Sequence, residues 1–236
     1  MNANNAGAVV DEVMENQQWH AQESRWAVAR QRLVQELKKQ GIASDRVLAA
    51  MGQVKRHHFV PTPIKHRAYD NVALPIGLEQ TISQPFIVAL MSQLAKVKPD
   101  DRVLVVGTGS GYQDAVLACL VNEVYSIERI PELAQSAREK LRLLGHHNVQ
   151  VSIGDGYGGL AKHAPFAAIV VTAAAPQVPT ALLEQLEPGG RLVIPVGQSQ
   201  QQLRVLVREP EGGIHDVDVV SVQFVPLVPG NPQPVV

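Results

Sequence analysis

The stretch that decides the fold of this 236-residue chain is Val103-Leu-Val-Val-Gly107-Thr-Gly109-Ser-Gly111-Tyr112. Its run of branched apolar residues is typical of a strand buried on both faces, as in a parallel sheet. Three glycines at alternate positions then predict a tight turn, and a helix-like run follows over residues 113–120. Strand, glycine turn and helix in this order open a nucleotide-binding βαβ unit, in which the helix N-terminus offers unpaired N–H groups to a ligand.

The glycine spacing is G-x-G-x-G, which departs from the G-x-G-x-x-G fingerprint of dinucleotide-binding proteins. A second predicted strand, Glu123–Glu128, ends in a carboxylate about 20 residues after the first glycine. A carboxylate there can accept hydrogen bonds from both hydroxyls of an adenosine ribose, so the turn and the acid together favour an adenosine ligand. The residues alone leave open whether this ligand is a dinucleotide or S-adenosylmethionine.

After the glycine turn, predicted helices and strands alternate, which is typical of an α/β fold. Further strands are predicted at residues 149–153, 166–172 and 191–196, and the first of these is followed by Asp155 and Gly156 at the ligand-binding edge of the sheet. Residues 202–208 and 217–225 alternate like a hairpin. We therefore expect a Rossmann-like, doubly wound, mostly parallel sheet of about seven strands with an antiparallel C-terminal hairpin.

The chain before the sheet is predicted to form two helices, residues 25–40 and 45–54, the second capped by Ser44. Later in this part, residues 79–85 place hydroxyl and amide side chains, among them Ser83 and Gln84, directly before an apolar helix that begins near Pro85. This segment is interpreted either as a helix cap or as an anion-binding loop, because hydroxyls and a helix N-terminus both favour a carboxylate or phosphate.

The expected organisation is a single domain over residues 23–228, made of a helical and substrate-loop part (23–95) and a Rossmann-like core with the hairpin (96–228). Residues 1–22, rich in Asn, Gln and Ala, are predicted to be a flexible tail or a loose helix, and residues 229–236 an extended tail.

Composition and charge argue against several classes of protein. The chain is 45% hydrophobic with a formal net charge of −1, whereas a general nucleic-acid binder would need a basic face. No apolar run approaches the ~20 residues that cross a bilayer, so we expect a cytoplasmic protein without a membrane partner. The single cysteine, Cys119, excludes a disulfide within the chain. The pairs His57-His58 and His146-His147 have no other Cys or His at ligand spacing, so we interpret them as turn residues and expect no metal site.

Several segments of the chain match a known family in the family's own order. In them the chain resembles protein-L-isoaspartate O-methyltransferase, within the class I S-adenosylmethionine-dependent methyltransferases, over roughly residues 25–228. The glycine and Asp-Gly motifs are common to many methyltransferases, whereas Thr81-Ile-Ser83 and Phe224-Val-Pro-Leu-Val228 are far more specific. The matching segments are Leu74-Pro-Ile-Gly77, Gln80-Thr-Ile-Ser-Gln-Pro85, Gly107-Thr-Gly-Ser-Gly-Tyr-Gln113, Ile127-Glu-Arg129, Gly154-Asp-Gly156, Ala164-Pro-Phe166, Val171-Thr-Ala-Ala174, Pro188-Gly-Gly190 and Phe224–Val228.

The resemblance implies a protein-repair enzyme with S-adenosyl-L-methionine as cofactor and S-adenosyl-L-homocysteine as product. Such an enzyme would methylate the abnormal carboxyl group that appears when Asn deamidates or Asp isomerises to isoaspartate. The ester would close spontaneously to a succinimide, part of which reopens as normal Asp. The implied partners are isoaspartyl-containing proteins and peptides, and we expect a monomer or a weak homo-oligomer that binds no nucleic acid.

The resemblance also implies roles for individual residues. Ser83 matches the catalytic serine, and Thr81 lies beside the substrate carboxylate in that family. Glu128 would hold the ribose and Asp155 the adenine amino group. The other implied cofactor residues are Gly107, Thr108, Gly109, Ser110, Gly111, Arg129, Gly156 and Thr172, and the other implied substrate residues are Ile82, Gln84, Val225 and Leu227.

Two positions depart from the family's pattern. Val105 stands where the family usually has an acid that helps to hold the methionine end of the cofactor, and losing a charged hydrogen-bond partner costs about 1.5–3 kcal/mol. Glu79 stands where a small or neutral residue is usual. Two alternatives therefore stay open: a methyltransferase redirected to another peptide carboxylate, and a degenerate, non-catalytic relative. An NAD-dependent oxidoreductase is disfavoured by the glycine spacing.

Overall fold

The structure is a computed structural model that describes residues 3–230, with side chains from residue 21 onward. Its helices and strands are, in chain order, α1 (Ala3–Lys39), α2 (Asp45–Gln53), β1 (Leu74–Gly77), β2 (Gln80–Ile82), α3 (Pro85–Leu94), β3 (Arg102–Val106), α4 (Tyr112–Ala118), β4 (Glu123–Glu128), α5 (Pro131–Leu143), β5 (Val149–Ile153), β6 (Phe166–Val171), α6 (Thr180–Glu184), β7 (Leu186–Gly197), β8 (Gln201–Arg208) and β9 (Ile214–Val222).

Seven of the strands form one sheet in the order β5-β4-β3-β6-β7-β8-β9. The first five are parallel, and β8 and β9 continue the sheet as an antiparallel pair. The predicted fold class, a mostly parallel Rossmann-like sheet with an antiparallel C-terminal hairpin, is therefore confirmed. Among the described residues, no helix has the length and apolarity that crossing a membrane requires.

Strand β3 is the centre of this architecture because both of its faces are covered. Val103, Leu104, Val105 and Val106 are all fully buried. Val103 and Val105 pack into an apolar cluster with α2, α3 and α4, whereas Leu104 and Val106 join a second cluster with α6 on the other face. Burial on both faces explains why the sequence of β3 reads as a continuous apolar run rather than as an alternation.

The order of the strands reverses at β3, since β4 lies on one side of it and β6 on the other. At this point the residues that follow β3 and β6 are held by backbone hydrogen bonds to neighbouring strands: Gly107 N donates to Ile127 O of β4 at 2.8 Å, and Thr172 N donates to Val106 O of β3 at 2.9 Å. Open α/β sheets bind ligands in the crevice that forms at such a reversal.

The N-terminal helix is longer than the sequence predicts. Of the two alternatives predicted for residues 1–22, the structure shows a helix over residues 3–22, because α1 begins at Ala3; residues 1 and 2 lie outside the described part. The segment contains several Ala and Gln residues, which favour a helix, and extending a helix that already exists costs much less than nucleating one. Of the predicted tail at 229–236, residues 231–236 also lie outside the described part.

Two boundaries near the end of the sheet also differ from prediction. Strand β7 takes in Pro188-Gly-Gly190, which the sequence predicts as a turn, because a register shift between Phe166 and Ala168 accommodates the extra residues. Strand β9 begins three residues before the predicted 217, at Ile214. The predicted cap of α2 is confirmed, since Ser44 Oγ accepts a hydrogen bond from Val47 N.

The interpretation of His57 as a turn residue in solvent is wrong. His57 is 1% exposed, stacks on Trp26 with ring centroids 5.0 Å apart, and contacts the Tyr69 hydroxyl through Nδ1 at 2.8 Å. Burial lowers the pKa of His57 to about 4. Its Nε2 faces Glu23, whose carboxylate is paired with Lys55 at 2.9 Å. This cluster attaches α1 to the rest of the domain.

Strands β1 and β2 form a hairpin where the sequence predicts only an extended segment and a polar loop. The two residues at its tip, Leu78 and Glu79, have φ angles of +51° and +58°. A two-residue hairpin turn with both residues in the left-handed region normally carries Asn-Gly or Asp-Gly, so the sequence lacks the usual hairpin signal. The side chain of Glu79 is exposed at this tip.

We expect Glu79→Gly to raise the free energy of unfolding by about 1 kcal/mol. Glycine adopts the left-handed backbone without the steric cost that glutamate has, and the greater entropy of glycine in the unfolded chain offsets only part of this gain. Equilibrium urea unfolding measures the change. Glu79→Ala is the matched control, since it removes the same carboxylate but keeps the Cβ. If the alanine variant gains as much as the glycine variant, charge and not backbone strain is the cause.

Candidate active site

A cleft opens at the carboxyl ends of β3, β4 and β6, where the strand order reverses. Its empty space, the open mouth included, is about 840 Å³. Its lining comes from the glycine turn with the end of β4, from β2 with Ser83, from Gly156 and Thr172 after β5 and β6, and from the segment after β9. The predicted ligand turn and the predicted anion loop therefore face each other across one space.

The glycine turn allows close approach of the backbone to a ligand. Gly107 has a φ of +93°, and a Cβ added there would lie 2.5 Å from Thr172 Oγ1. A Cβ on Gly156, across the cleft, would lie 2.5 Å from Val106 Cγ1. Neither position has room for a side chain, so at both places backbone atoms line the cleft.

Glu128 is the carboxylate at the end of β4. It is 7% exposed, and each of its oxygens accepts one backbone N–H: Gly109 N at 2.8 Å and Ile130 N at 2.9 Å. These bonds fix the carboxylate at the glycine turn. A carboxylate has about four acceptor sites, so each oxygen keeps capacity for one further donor. That arrangement fits the two neighbouring hydroxyls of an adenosine ribose.

Asp155 follows β5 and is held in a similar way. Oδ1 accepts Tyr157 N at 2.9 Å, and Oδ2 accepts Gly230 N at 2.8 Å. Asp155 itself does not line the cleft, but the next residue, Gly156, does. The hydrogen bond to Gly230 ties the end of the described chain to this corner of the site.

Ser83 lies between the cleft and an adjoining groove. The groove is lined by Ala73, Thr81, Ser83, Gln84, Ile87 and residues 221–225, so Thr81 and Ser83 belong to both spaces. The Ser83 carbonyl accepts a hydrogen bond from Arg56 Nη2 at 2.9 Å. Its hydroxyl has no hydrogen-bond partner among the described residues and remains available to a ligand.

The predicted capping of α3 by Ser83 or Gln84 is wrong. Gln84 occupies the N-cap position but its side chain makes no cap bond; it donates instead to Asn71 O at 2.8 Å. The Asn71 side chain takes over, since its Oδ1 accepts Phe86 N at 3.0 Å. Asn71 was not identifiable from the sequence because it lies 15 residues from Phe86. The Ser83 hydroxyl is thereby left free of a structural role.

The segment after β9 closes the cleft from the other side. Ala174 N donates to Val225 O at 2.8 Å, and Leu227 N donates to Ala174 O at 2.7 Å. The Tyr157 hydroxyl donates to Leu227 O at 3.3 Å. These bonds hold the segment against the ends of the strands, so that Val225 and Leu227 present their side chains to the cleft.

The structure brings most of the predicted site residues into one space. Gln84 lies only in the adjoining groove, and Gly111 and Asp155 support the site without lining the cleft. The predicted residues that line the cleft are Thr81, Ile82, Ser83, Gly107, Thr108, Gly109, Ser110, Glu128, Arg129, Gly156, Thr172, Val225 and Leu227.

For some residues at the site, the sequence predicts no functional role. Gln80, Tyr112 and Gln113 also line the cleft, and their positions next to the predicted motifs are the only signal that could have identified them. Arg56 and Asp114 lie behind the cleft and are both 0% exposed. A charged residue gives no sequence signal of burial when its neighbours in space come from distant parts of the chain.

The two departures from the family's pattern lie outside the cleft. Val105 is fully buried in the apolar cluster behind the glycine turn. Its registered neighbour on β4 is Ser126, whose hydroxyl hydrogen-bonds Thr108 Oγ1 at 2.6 Å. Glu79 is exposed at the hairpin tip and does not line the cleft.

Asp114 places a carboxyl group in this buried region, beside Ser126. Neither of its oxygens has a hydrogen-bond partner among the described residues. Burial raises the pKa of Asp114 to about 7, the charge of Glu128 adds to the rise, and the nearby Ser126 hydroxyl opposes it. Between its ordinary value of 3.8 and about 7, the folded protein keeps a proton that the unfolded chain releases. Stability from this group therefore falls as the pH rises through that window.

We expect Asp114→Asn to stabilise the fold relative to the parent protein, and to do so more at pH 8 than at pH 5. Because one pKa unit corresponds to 1.36 kcal/mol and about two units separate pH 5 from the folded pKa of about 7, the advantage should grow by about 3 kcal/mol between these pH values. Urea unfolding of both proteins at the two pH values measures it. An advantage that does not change with pH would contradict a buried, titrating carboxyl group.

Comparisons with known proteins agree with this geometry. A family model described as Protein-L-isoaspartate(D-aspartate) O-methyltransferase matches residues 28–231. Two relatives named Protein-L-isoaspartate O-methyltransferase are 52% identical over 205 residues, from Sodalis glossinidius (strain morsitans), and 51% identical over 201 residues, from Gloeobacter violaceus. The matches cover 86% and 84% of this chain and 98% of each relative.

Solved structures give the same result. A structure of a protein-L-isoaspartate O-methyltransferase has a TM-score of 0.77 at 27% identity, covering 86% of this chain and 67% of that one. A Plasmodium falciparum structure assigned to the same class, in complex with S-adenosyl-L-homocysteine, has a TM-score of 0.73 at 25% identity and covers 84% of this chain and 98% of that one.

Proposed function

The chain belongs to the protein-L-isoaspartate (D-aspartate) O-methyltransferase family, and from that premise we propose its reaction and the residues that perform it. The protein transfers a methyl group from S-adenosyl-L-methionine to the abnormal carboxyl group of isoaspartyl residues in damaged proteins and peptides. The observation that carries the assignment is the position of Ser83, whose unpartnered hydroxyl lies where the cleft meets a second groove.

The cleft fits the adenosine part of the cofactor. Glu128 would accept both ribose hydroxyls with the acceptor capacity that its bonds to Gly109 and Ile130 leave over. Asp155 and Gly156 would lie at the adenine end, and the backbone of the turn at 107–111 would follow the rest of the molecule. When bound, S-adenosylmethionine supplies an electrophilic methyl group on a positively charged sulfur and leaves as neutral S-adenosylhomocysteine.

The chemistry of the acceptor explains why the site needs no strong base. An isoaspartyl carboxyl group is already ionised at pH 7. One carboxylate oxygen forms a bond to the methyl carbon while the carbon–sulfur bond breaks and its electron pair stays on sulfur. Ser83 would donate a hydrogen bond that orients the acceptor, and Thr81 would lie beside it. Holding oxygen, carbon and sulfur in line and excluding water is the whole task of the protein.

The groove on the far side of Ser83 would take the peptide. Val225 lines both the groove and the cleft, whereas Gln84 lines the groove and Ile82 and Leu227 line the cleft. A substrate lying there presents its carboxyl group to Ser83 from the side opposite the cofactor, which is the arrangement that in-line transfer requires.

Repair itself is the most specific test of this function. A synthetic peptide with one isoaspartyl residue, incubated with the protein and S-adenosylmethionine, should convert over repeated cycles to its normal Asp twin, and chromatography separates the two. Addition of S-adenosylhomocysteine should stop the conversion. Methylation of a different carboxylate, without conversion, would indicate a redirected methyltransferase.

We also propose a single domain over residues 23–228, a monomer or weak homo-oligomer, no nucleic-acid partner and a cytoplasmic location. Support comes from the near-neutral net charge and from the single cysteine, which is free in the structure. Size-exclusion chromatography with light scattering tests the oligomeric state.

A further inference from the structure

Arg56 is a buried cation without a counter-charge. Its side chain is 0% exposed, and no carboxylate of the described residues forms an ion pair with it. Nη2 donates to Ser83 O at 2.9 Å, whereas Nε and Nη1 have no hydrogen-bond partner in the described part of the protein. Burying a guanidinium with most of its donors unused is costly, so the fold retains this charge for a reason other than packing.

The guanidinium keeps its charge at neutral pH. Burial lowers the pKa of Arg56 to about 10, which remains well above 7. The titratable groups that act on it are Tyr112 from α4 and Tyr69 from the segment between α2 and β1, and both oppose the lowering. The Tyr112 ring lies 4.6 Å from Arg56 Cζ, a cation–π contact that stabilises the charge without neutralising it.

The hydrogen-bond partner and the stacking partner of the guanidinium both belong to the lining of the cleft. The single hydrogen bond of the guanidinium goes to Ser83, and Tyr112, against which it stacks, lines the same cleft as Ser83. Helix α3 begins two residues after Ser83 and turns its positive end toward the same loop. An anion held at the Ser83 hydroxyl therefore meets two sources of positive potential, and neither has an anionic partner within the described residues.

We propose that Arg56 is a positioning residue that fixes the Ser83 backbone and supplies the buried positive charge that selects an ionised acceptor carboxylate. The proposal deepens the proposed function and rests on it. Methyl transfer turns the carboxylate into a neutral ester, so the attraction exists for the substrate and disappears for the product. Arg56 thus favours binding of the acceptor and release of the ester, and it discriminates against amides and other neutral groups of similar shape.

Two matched peptides test the proposal by equilibrium binding. One carries an isoaspartyl residue with its free carboxylate, and the other carries the same residue with that carboxylate converted to a carboxamide. Both are titrated into the full-length protein saturated with S-adenosylhomocysteine, which permits no reaction. The parent protein should prefer the carboxylate peptide by about tenfold or more, and Arg56→Met should reduce the preference to about twofold or less.

Control variants separate the charge from the structural role. Arg46→Met removes another arginine that donates to backbone carbonyls, those of Val97 and Leu120, and should leave the preference unchanged. Arg56→Lys keeps the charge, but a buried lysine loses its proton more easily than arginine. The preference of the lysine variant should therefore fall between pH 6 and pH 9, while that of the parent protein stays constant.

The outcomes distinguish failure of the proposed role of Arg56 from failure of the proposed function. If Arg56→Met weakens both peptides equally, or changes neither, the charge has no role in selecting the carboxylate and the proposal is wrong. If Arg56→Met does not fold, a preference of Arg56→Lys that is flat with pH overturns the proposal, and one that falls supports it. If the parent protein binds S-adenosylhomocysteine but neither peptide, the proposed function fails first and the role of Arg56 fails with it.

Discussion

Replacing Ser83 by alanine should lower the turnover number for isoaspartyl peptide methylation by roughly 100-fold, while the affinity for S-adenosylhomocysteine stays within about twofold. The Ser83 hydroxyl has no partner among the described residues and faces the junction of cleft and groove, so its removal breaks no bond within the fold. What is lost is a donor that orients the acceptor oxygen during transfer. Steady-state kinetics and calorimetric titration measure the two quantities separately.

Ser83→Thr is the matched variant, because it keeps a hydroxyl at the same position and should retain more activity than Ser83→Ala. The loss should appear only in the catalytic step, since the carbonyl of Ser83 still accepts the Arg56 bond in every variant. Equal losses of turnover and of cofactor affinity would mean that the loop had collapsed into the cleft, and would contradict an orienting role for the hydroxyl.

The second large effect is expected at Glu128. Glu128→Gln should weaken S-adenosylhomocysteine binding by roughly 100-fold or more. In glutamine, an NH2 group replaces one of the two carboxylate oxygens, and NH2 cannot accept a hydrogen bond. One of the backbone N–H groups of Gly109 and Ile130 therefore loses its acceptor, and so does one ribose hydroxyl. Isothermal titration calorimetry at pH 7 measures the affinity.

Glu132→Gln is the control for this prediction, because Glu132 is an exposed acid at the start of α5, four residues further along the chain. It should bind S-adenosylhomocysteine as the parent protein does. An undiminished affinity in Glu128→Gln would show that the carboxylate only organises the glycine turn and does not hold the ribose.

The sequence predicts those parts of the fold that short-range pattern determines. The strands at 123–128 and 149–153 are found at the predicted residues, because closely spaced apolar residues bounded by turns indicate a strand locally. The glycine turn and Glu128 were identifiable for the same reason, since the motif and its acid belong to consecutive strands. The proposed substrate loop around Ser83 was identified by resemblance, because residue chemistry alone also allowed a helix cap.

What the sequence does not predict depends on contacts between distant residues. The cap of α3 comes from Asn71, the burial of His57 from Trp26 on α1, and the surroundings of Arg56 from Ser83 and Tyr112. The β1–β2 hairpin was missed for a local reason: Leu78 and Glu79 adopt a left-handed turn without the glycine that usually marks it. Charged residues such as Asp114 are buried because elements from distant parts of the chain pack around them. A short stretch of sequence gives no information on such packing.

The burial of Val105 bears on the alternative of a degenerate relative. A carboxylate at this position would enter an apolar cluster on the face of the sheet where Ser126 and the uncompensated Asp114 already lie. Two buried carboxyl groups there would raise each other's pKa and destabilise the fold. The valine is therefore compatible with an intact cleft, in which the glycine turn and the Glu128 carboxylate at the end of β4 are both in place.

The most direct measurement is methyl transfer from labelled S-adenosylmethionine to an isoaspartyl peptide and to its normal Asp twin, after calorimetry has established that the protein binds S-adenosylhomocysteine. We expect micromolar binding and transfer to the isoaspartyl peptide alone. Transfer to both peptides at similar rates, or binding of the cofactor product without transfer to either, would contradict the assignment of this cleft and groove to isoaspartyl repair.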